Sequence, residues 1–257
     1  MIDRTNKILV ICSNDNSKSN VTYNIIKYLA KLKIDNYCFL VVDKNKKILN
    51  FLKKKKKRII LNNFDSFKKL IKKNDYDWLL NIWSPIIFNR DFLKKFKFNL
   101  NLHPSYLPYN RGKDPYIWSI INQTPFGVTI HRMNHKIDAG EYYIRKKIRL
   151  NFPYNGQIVY EKSLEELKRL FIKKWSKIRG RKIVSKKYKF KTKLNIRKDL
   201  KKINYIDFDK LKNISSKTFL LQCLAQDFRF LKQQIKFKSK IYEIKINLKK
   251  IKKLKKL

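Results

Sequence analysis

The sequence predicts an α/β protein: a mostly parallel sheet with helices on both faces, followed by a short α+β C-terminal appendage. Three observations predict it. Short apolar, β-rich runs recur through the first half, segments with helical spacing separate them, and 43% hydrophobic with 14% aromatic content supplies a packed core. Strands that alternate with helices make βαβ units, whose crossovers cover both sheet faces.

Lys7-Ile-Leu-Val-Ile-Cys12 reads as a buried strand, followed by a polar loop from Ser13 to Asn20. Val21 to Leu32 has helical spacing at Ile25, Ile26, Leu29 and Leu32. Tyr37 to Val42 and Arg58 to Leu61 read as strands, and Phe64 to Lys73 as a helix. Asp77 to Trp83 is a fourth strand and Leu100 to His103 a fifth. Gly127 to Met133 and Glu141 to Leu150 form two more, joined by a turn at Asp138-Ala139-Gly140. Gln157 to Lys177 is a long amphipathic helix. Beyond Gly180 the pattern weakens: Asn195 to Phe237 suggests short helices, Ile241 to Leu248 alternates like a strand, and the final I-K-K-L-K-K-L is a basic tail. Residues 1–180 form the main domain and 181–257 a short basic C-terminal region.

Among 257 residues, 64 Lys and Arg stand against 19 Asp and Glu, a formal charge of +45. Two accounts fit. Cations facing phosphates release condensed counterions, which points to RNA. Alternatively, over-use of Lys, Ile, Asn, Phe and Tyr reflects AT-rich codons. The spread of lysines from Lys7 to Lys256, with no single stripe, favours the second. Cys12, Cys38 and Cys223 are widely separated and make no C-x-x-C pair, so they read as buried thiols. Three histidines without a clustered carboxylate imply no metal site. No signal peptide is visible, and the longest apolar run, Trp78 to Phe88, falls far below the ~20 residues of a membrane helix. A cytoplasmic protein without a membrane partner is expected.

The scarce residue types cluster. All six prolines lie between Pro85 and Pro153, four of the five glycines between Gly112 and Gly156, and all three histidines between His103 and His135. Backbone geometry and side-chain chemistry are constrained there, as in an active-site floor. Asn101 and His103 are two apart, so on an extended strand end they point to the same side. The following Pro104 stops the strand. An amide and an imidazole therefore sit together at the carboxyl end of a strand, where open α/β sheets place ligands. His131 alternates along its strand and could line the cleft, although packing is the favoured reading, and His135 reads as an exposed residue. The first loop lacks G-x-G-x-x-G, which disfavours a dinucleotide, although its Ser and Asn residues suit an acceptor's phosphate.

N-L-H-P-S-Y-L-P-Y-N-R-G from Asn101 to Gly112, T-P-F-G-V-T-I-H from Thr124 to His131, and I-D-A-G-E from Ile137 to Glu141 resemble the catalytic domain of the folate-dependent formyltransferases. That family includes glycinamide ribonucleotide, methionyl-tRNA and sugar N-formyltransferases. The resemblance implies a Rossmann-like formyltransferase fold, 10-formyltetrahydrofolate as co-substrate, and Asn101, His103 and Asp138 as the catalytic trio. It implies that the folate lies against Asn81, Ile82, Trp83, Ser84 and Ile86 and against Ala139, Gly140 and Tyr142. The acceptor would meet the loop carrying Ser105, Tyr106, Arg111 and Gly112.

Formyl transfer needs an amine to attack the formyl carbon. Asn101 and a protonated His103 can donate to the developing oxyanion, and losing one such donor costs ~10²–10³ in rate. Asp138 would hold the imidazolium and relay the amine proton. The wording S-Y-L-P-Y-N-R-G-K-D-P-Y-I-W-S looks closer to the sugar N-formyltransferases, which implies a nucleotide-linked amino sugar as acceptor. Methionyl-tRNA is the alternative, although the region after Thr192 is shorter than the tRNA-holding barrel of that subfamily. The chain also departs from the family between Cys223 and Phe237, where the usual prolines are missing. Two other classes remain: a formyl-folate hydrolase, and a noncatalytic basic RNA-binding protein.

Overall fold

The computed structural model describes residues 5–13, 19–61, 63–72, 75–189, 192–228 and 232–248. In chain order the elements are β1 (Lys7–Cys12), α1 (Ser19–Lys31), β2 (Asn36–Val41), α2 (Lys46–Lys54), β3 (Arg58–Ile60), α3 (Phe64–Leu70), β4 (Trp78–Ile82), α4 (Arg90–Leu93), β5 (Phe98–His103), β6 (Arg111–Gly112), α5 (Pro115–Ile121), β7 (Gly127–His131), β8 (Tyr142–Lys147) and α6 (Gly156–Arg179). They continue with β9 (Leu194–Asn195), α7 (Arg197–Asn204), β10 (Tyr205–Asp207), a 3₁₀ turn (Phe208–Asn213), α8 (Ser216–Gln226), β11 (Gln233–Phe237) and β12 (Lys240–Ile244). The basic tail and residues 14–18 of the first polar loop lie outside the described residues.

The chain divides into two compact units. The first comprises residues 1–103, 128–146 and 164–191; the second 104–127, 147–163 and 192–257. In the first, a seven-stranded sheet among the described residues runs in the order β3-β2-β1-β4-β5-β7-β8. Strands β1 to β5 pair in parallel, and β7 is antiparallel to β5. Every residue of β4 is buried, as are five of the six in each of β1 and β2. Continuous apolar runs are what strands covered on both faces require.

Helix α2 shows how the lysine-rich background hides an ordinary helix. Ile48 and Leu52, four apart, are fully buried, while the lysines around them keep their heads outside. Asn45 caps it, accepting from the Ile48 N–H at 3.2 Å. In α6, Leu167, Phe171, Trp175 and Ile178 repeat at helical spacing and are buried. The Trp175 ring meets Trp78 of β4 edge-to-face at 5.3 Å. Beneath it, Asp35 and Arg179 pair at 2.9 Å with side chains 0% and 3% exposed. Asp35 also accepts from the Asn6 N–H and the Tyr37 hydroxyl, so the buried carboxylate is saturated.

In the second unit, α5 packs against α8, and β10, β11 and β12 form a three-stranded sheet. Gln233–Phe237 belongs to the stretch expected to form short helices, yet it is a strand. It pairs in parallel with β10 and antiparallel with β12, and those partners override local propensity. Gly156 is required by close approach: a Cβ there would lie 2.1 Å from the Ala225 carbonyl oxygen.

Strand order reverses direction at β1, so the topological switch lies at the carboxyl ends of β1 and β4, with β5 next to β4. That end of the sheet carries Asn81 of β4 and Asn101 and His103 of β5.

Candidate active site

Registers align three polar side chains in one row across the sheet. Asn81 of β4 pairs with Asn101 of β5, and Asn101 pairs with His131 of β7. Residues paired in this way point to the same face. His103, two residues after Asn101, shares that face.

Asp138 reaches the row from the loop between β7 and β8. Its φ of +47° is left-handed, a conformation that Asp tolerates better than most residues. Its Oδ2 lies 3.4 Å from His103 Nδ1, and its Oδ1 lies 3.4 Å from both His131 Nε2 and Asn101 Nδ2. Asn101 Nδ2 is 3.1 Å from His131 Nε2, and Asn101 Oδ1 accepts from Asn81 Nδ2 at 3.1 Å. His131 Nδ1 faces the Arg132 carbonyl at 2.9 Å. The structure therefore brings Asn101, His103 and Asp138 together and adds His131, for which packing was the favoured expectation over lining the cleft. The ring is 1% exposed, and it also touches both Asn101 and Asp138.

Two features shape the Asp138 loop. The Met133 N–H donates to Asn99 Oδ1 at 2.5 Å, and Asn99 stands on the same face of β5 as Asn101. Gly140 lies against the Arg132 carbonyl, where a Cβ would come within 1.8 Å of the oxygen. Ala139, half-buried beside it, donates its N–H to the Lys136 carbonyl at 3.4 Å.

The residues expected to line a folate differ in what they present. Ile82 is fully buried within β4 and offers only its backbone, whose carbonyl accepts from the Ser13 N–H. Asn81 Oδ1 accepts from both the Ser84 N–H, at 3.1 Å, and the Ser84 hydroxyl, at 2.7 Å. Trp83 between them has a φ of +57°, a strained backbone for an aromatic residue, and its buried Nε1–H has no hydrogen-bond acceptor. Ile86 is half-buried. Tyr142 stacks on Tyr188 at 5.2 Å, with the Arg145 guanidinium 4.7 Å from its ring centre.

The four loop residues expected to meet an acceptor belong to the second unit. Ser105 donates its hydroxyl to the Tyr109 carbonyl at 2.9 Å, and the Lys147 ammonium lies 5.5 Å from the centre of the Tyr106 ring. Arg111 donates to the Thr192 carbonyl at 3.0 Å. Gly112 has a φ of +92° and lies against the Asn195 carbonyl, so no side chain fits there. Among the described residues, no group of three or more His, Cys, Asp or Glu is arranged to hold a metal, and no helix is long and apolar enough to cross a membrane.

An open, mostly parallel sheet with an amide, two imidazoles and a carboxylate gathered at the carboxyl ends of its central strands defines an α/β protein with a built polar centre. The sequence model described as formyl transferase matches residues 6–174, and the chain belongs to that family. It is similar to the dTDP-4-amino-4,6-dideoxyglucose formyltransferase of Mycobacterium tuberculosis, with 27% identity over 110 residues, 43% of this chain and 47% of the relative. The match thus spans about half the length of that curated relative. A 4-N formyltransferase from Francisella tularensis shares the fold with a TM-score of 0.80 at 23% identity, covering 96% of this chain and 99% of that one. An N-formyltransferase from Helicobacter canadensis, solved with folinic acid and dTDP-3-aminofucose, has a TM-score of 0.67 at 19% identity, covering 84% and 79%.

Proposed function

We propose that this protein transfers a formyl group from 10-formyltetrahydrofolate to the amine of a nucleotide-linked amino sugar, with Asn101, His103 and Asp138 at its chemical centre. The observation that carries the reading is the convergence of these three side chains, 37 residues apart at the extremes, around Asp138 at 3.4 Å contacts.

The residues at the end of β4 suit a pterin. The Trp83 indole N–H is a buried donor lacking an acceptor, and the ring would have to shift to present it to a ring nitrogen or carbonyl. Asn81 and Ser84 satisfy each other, so their contribution to the folate falls to the backbone. When bound, 10-formyltetrahydrofolate supplies an activated formyl carbonyl. Asn101 Nδ2 holds hydrogens toward His131 and Asp138; the longer contact, to Asp138, is the weaker and yields to a formyl oxygen as it gains charge. His103, when protonated, would donate to that oxygen as well. Asp138 Oδ2 holds the imidazole through Nδ1; as the amine bonds to the formyl carbon the carboxylate would accept its proton, and that proton would pass to N10 as the carbon–N10 bond breaks and tetrahydrofolate leaves. The amino-sugar acceptor is supported by the M. tuberculosis relative and by the aminofucose-bound Helicobacter protein.

The test is release of tetrahydrofolate from 10-formyltetrahydrofolate with a panel of amines: nucleotide-linked amino sugars, methionyl-tRNA, and no acceptor. Release with an amino sugar alone is expected. Release without any amine would establish a hydrolase instead, and release only with charged tRNA would replace the acceptor. His103→Ala and Asp138→Ala should each lower turnover by ~10²–10³ in protein that remains folded.

A further inference from the structure

We propose that Asn81 is a positioning residue that fixes which end of the Asn101 carboxamide faces His131 and Asp138. A carboxamide is nearly symmetric in shape, so packing alone does not decide whether its oxygen or its nitrogen points a given way. Here two backbone groups decide it, because a main-chain N–H only donates and a main-chain carbonyl only accepts.

Ser84 sets the orientation from one side. Its backbone N–H donates at 3.1 Å, so the Asn81 atom it meets is the oxygen. The other end of Asn81 is then NH₂, and it faces Asn101 at 3.1 Å. The Asn101 atom receiving that hydrogen must be oxygen, which turns Asn101 Nδ2 toward His131 and Asp138. The Arg132 carbonyl sets the orientation from the other side. It accepts from His131 Nδ1 at 2.9 Å, so in the neutral ring the hydrogen sits on Nδ1 and Nε2 is the acceptor. Nε2 then needs a donor, and Asn101 Nδ2 supplies it at 3.1 Å. With His131 neutral, two backbone groups 48 residues apart in the chain impose the same orientation on Asn101, while His131 Nε2 also lies 3.4 Å from Asp138 Oδ1.

Reversing the amide would place the Asn101 oxygen against Asp138 Oδ1 at 3.4 Å and point its donors away from that carboxylate. Asn81 is 7% exposed and Asn101 is half-buried, so solvent does not rescue the reversed state at the Asn81 contact. Asn81 acts through Asn101, and its loss is felt in catalytic rate more than in substrate affinity.

The kinetic part of this proposal rests on formyl transfer as the activity; the orientation itself does not. Asn81→Asp keeps an acceptor for the Ser84 N–H but removes the donor to Asn101, and its second oxygen repels Asn101 Oδ1. The Asn101 amide should turn over and set its oxygen against His131 Nε2, which then takes up a hydrogen. The experiment is ¹⁵N NMR of histidine-labelled full chain, parent and variant, under alkaline conditions without substrate. His131 is assigned with the aid of His103→Gln and His135→Gln. The parent should show His131 protonated on Nδ1 only, and Asn81→Asp should show protonation at Nε2. In the formyl-transfer assay, kcat should fall by ~10², with KM for donor and acceptor within a few-fold of the parent.

A folded Asn81→Asp in which His131 Nε2 stays bare overturns the proposal. So does an unchanged kcat, or a raised KM at full kcat, which would make Asn81 a binding residue. If Asn81→Asp does not fold, Asn81→Ala carries the same readouts, with a smaller fall in kcat and a partial hydrogen on Nε2. A parent protein that formylates no amine, with the NMR change present in Asn81→Asp, sinks the activity reading and leaves the orientation standing.

Discussion

Gly140→Ala would strike the polar centre from behind. Gly140 has an ordinary φ, so alanine is refused by space and not by torsion. The added carbon would begin 1.8 Å from the Arg132 carbonyl oxygen, whereas a tolerable C···O approach is about 3.3 Å. The two must part by about 1.5 Å. That carbonyl also accepts from His131 Nδ1 at 2.9 Å, and a shift of this size takes the bond beyond hydrogen-bond range. Losing the bond costs about 1 kcal/mol. Forced repacking adds roughly 1–3 kcal/mol. The sum of about 2–4 kcal/mol corresponds to a fall in melting temperature of roughly 4–16 °C at this chain length. With His131 released, Asn101 loses the shorter of its two acceptor contacts, and turnover should drop by ~10² as well. Differential scanning calorimetry and the tetrahydrofolate-release assay read the two effects. An alanine variant that melts and turns over like the parent would refute the reasoning, because it would show that the carbonyl is not held where the glycine leaves room for it.

Asp35→Asn leaves Arg179 buried without its counter-ion and should cost about 3–5 kcal/mol, read as a lowered urea midpoint; Asp35→Leu with Arg179→Met should recover most of it. Burial raises the Asp227 carboxyl, but Lys232 and Asn155 outweigh that and hold it below the usual aspartate range. Its contribution is therefore present above the ordinary aspartate pKa and lost as pH falls through the lowered one, so melting followed against pH should show a shallower acid-side decline in Asp227→Asn. Burial raises the thiols of Cys12, Cys38 and Cys223, Cys223 to about 11, so a thiol reagent should label none of them in the native protein and all three after denaturation.

Much of the sheet is legible from local pattern, because β1, β2 and β4 are apolar on both faces and leave no ambiguity of period. Asn101 and His103 are likewise readable, since a spacing of two on a strand fixes a shared face. His131 is not, because its contact with Asn101 depends on the antiparallel register of β7 on β5, which no local window contains. The same holds for Asn81: its spacing from Ser84 hints at a turn, but its partner across the sheet lies 20 residues away. Helix α2 is missed because lysines flank its two buried residues and blur the apolar stripe. In β11, alternation of Gln233, Ile235 and Phe237 was the available sign of a strand within a stretch expected to be helical.

The outermost strands of the large sheet give the lysine excess a physical consequence. β3 is three residues long and follows five consecutive lysines, Lys53 to Lys57, while β8 ends in Arg145-Lys146-Lys147. Any second chain offering the same strands would bring cations against cations, at a separation that salt of about 0.15 M screens only over ~8 Å. Whatever their origin, these charges act as bumpers on both rims and oppose growth of the sheet from one molecule into the next. Their protection should weaken as ionic strength is raised, so concentrated brine is where this protein would first begin to stick to itself.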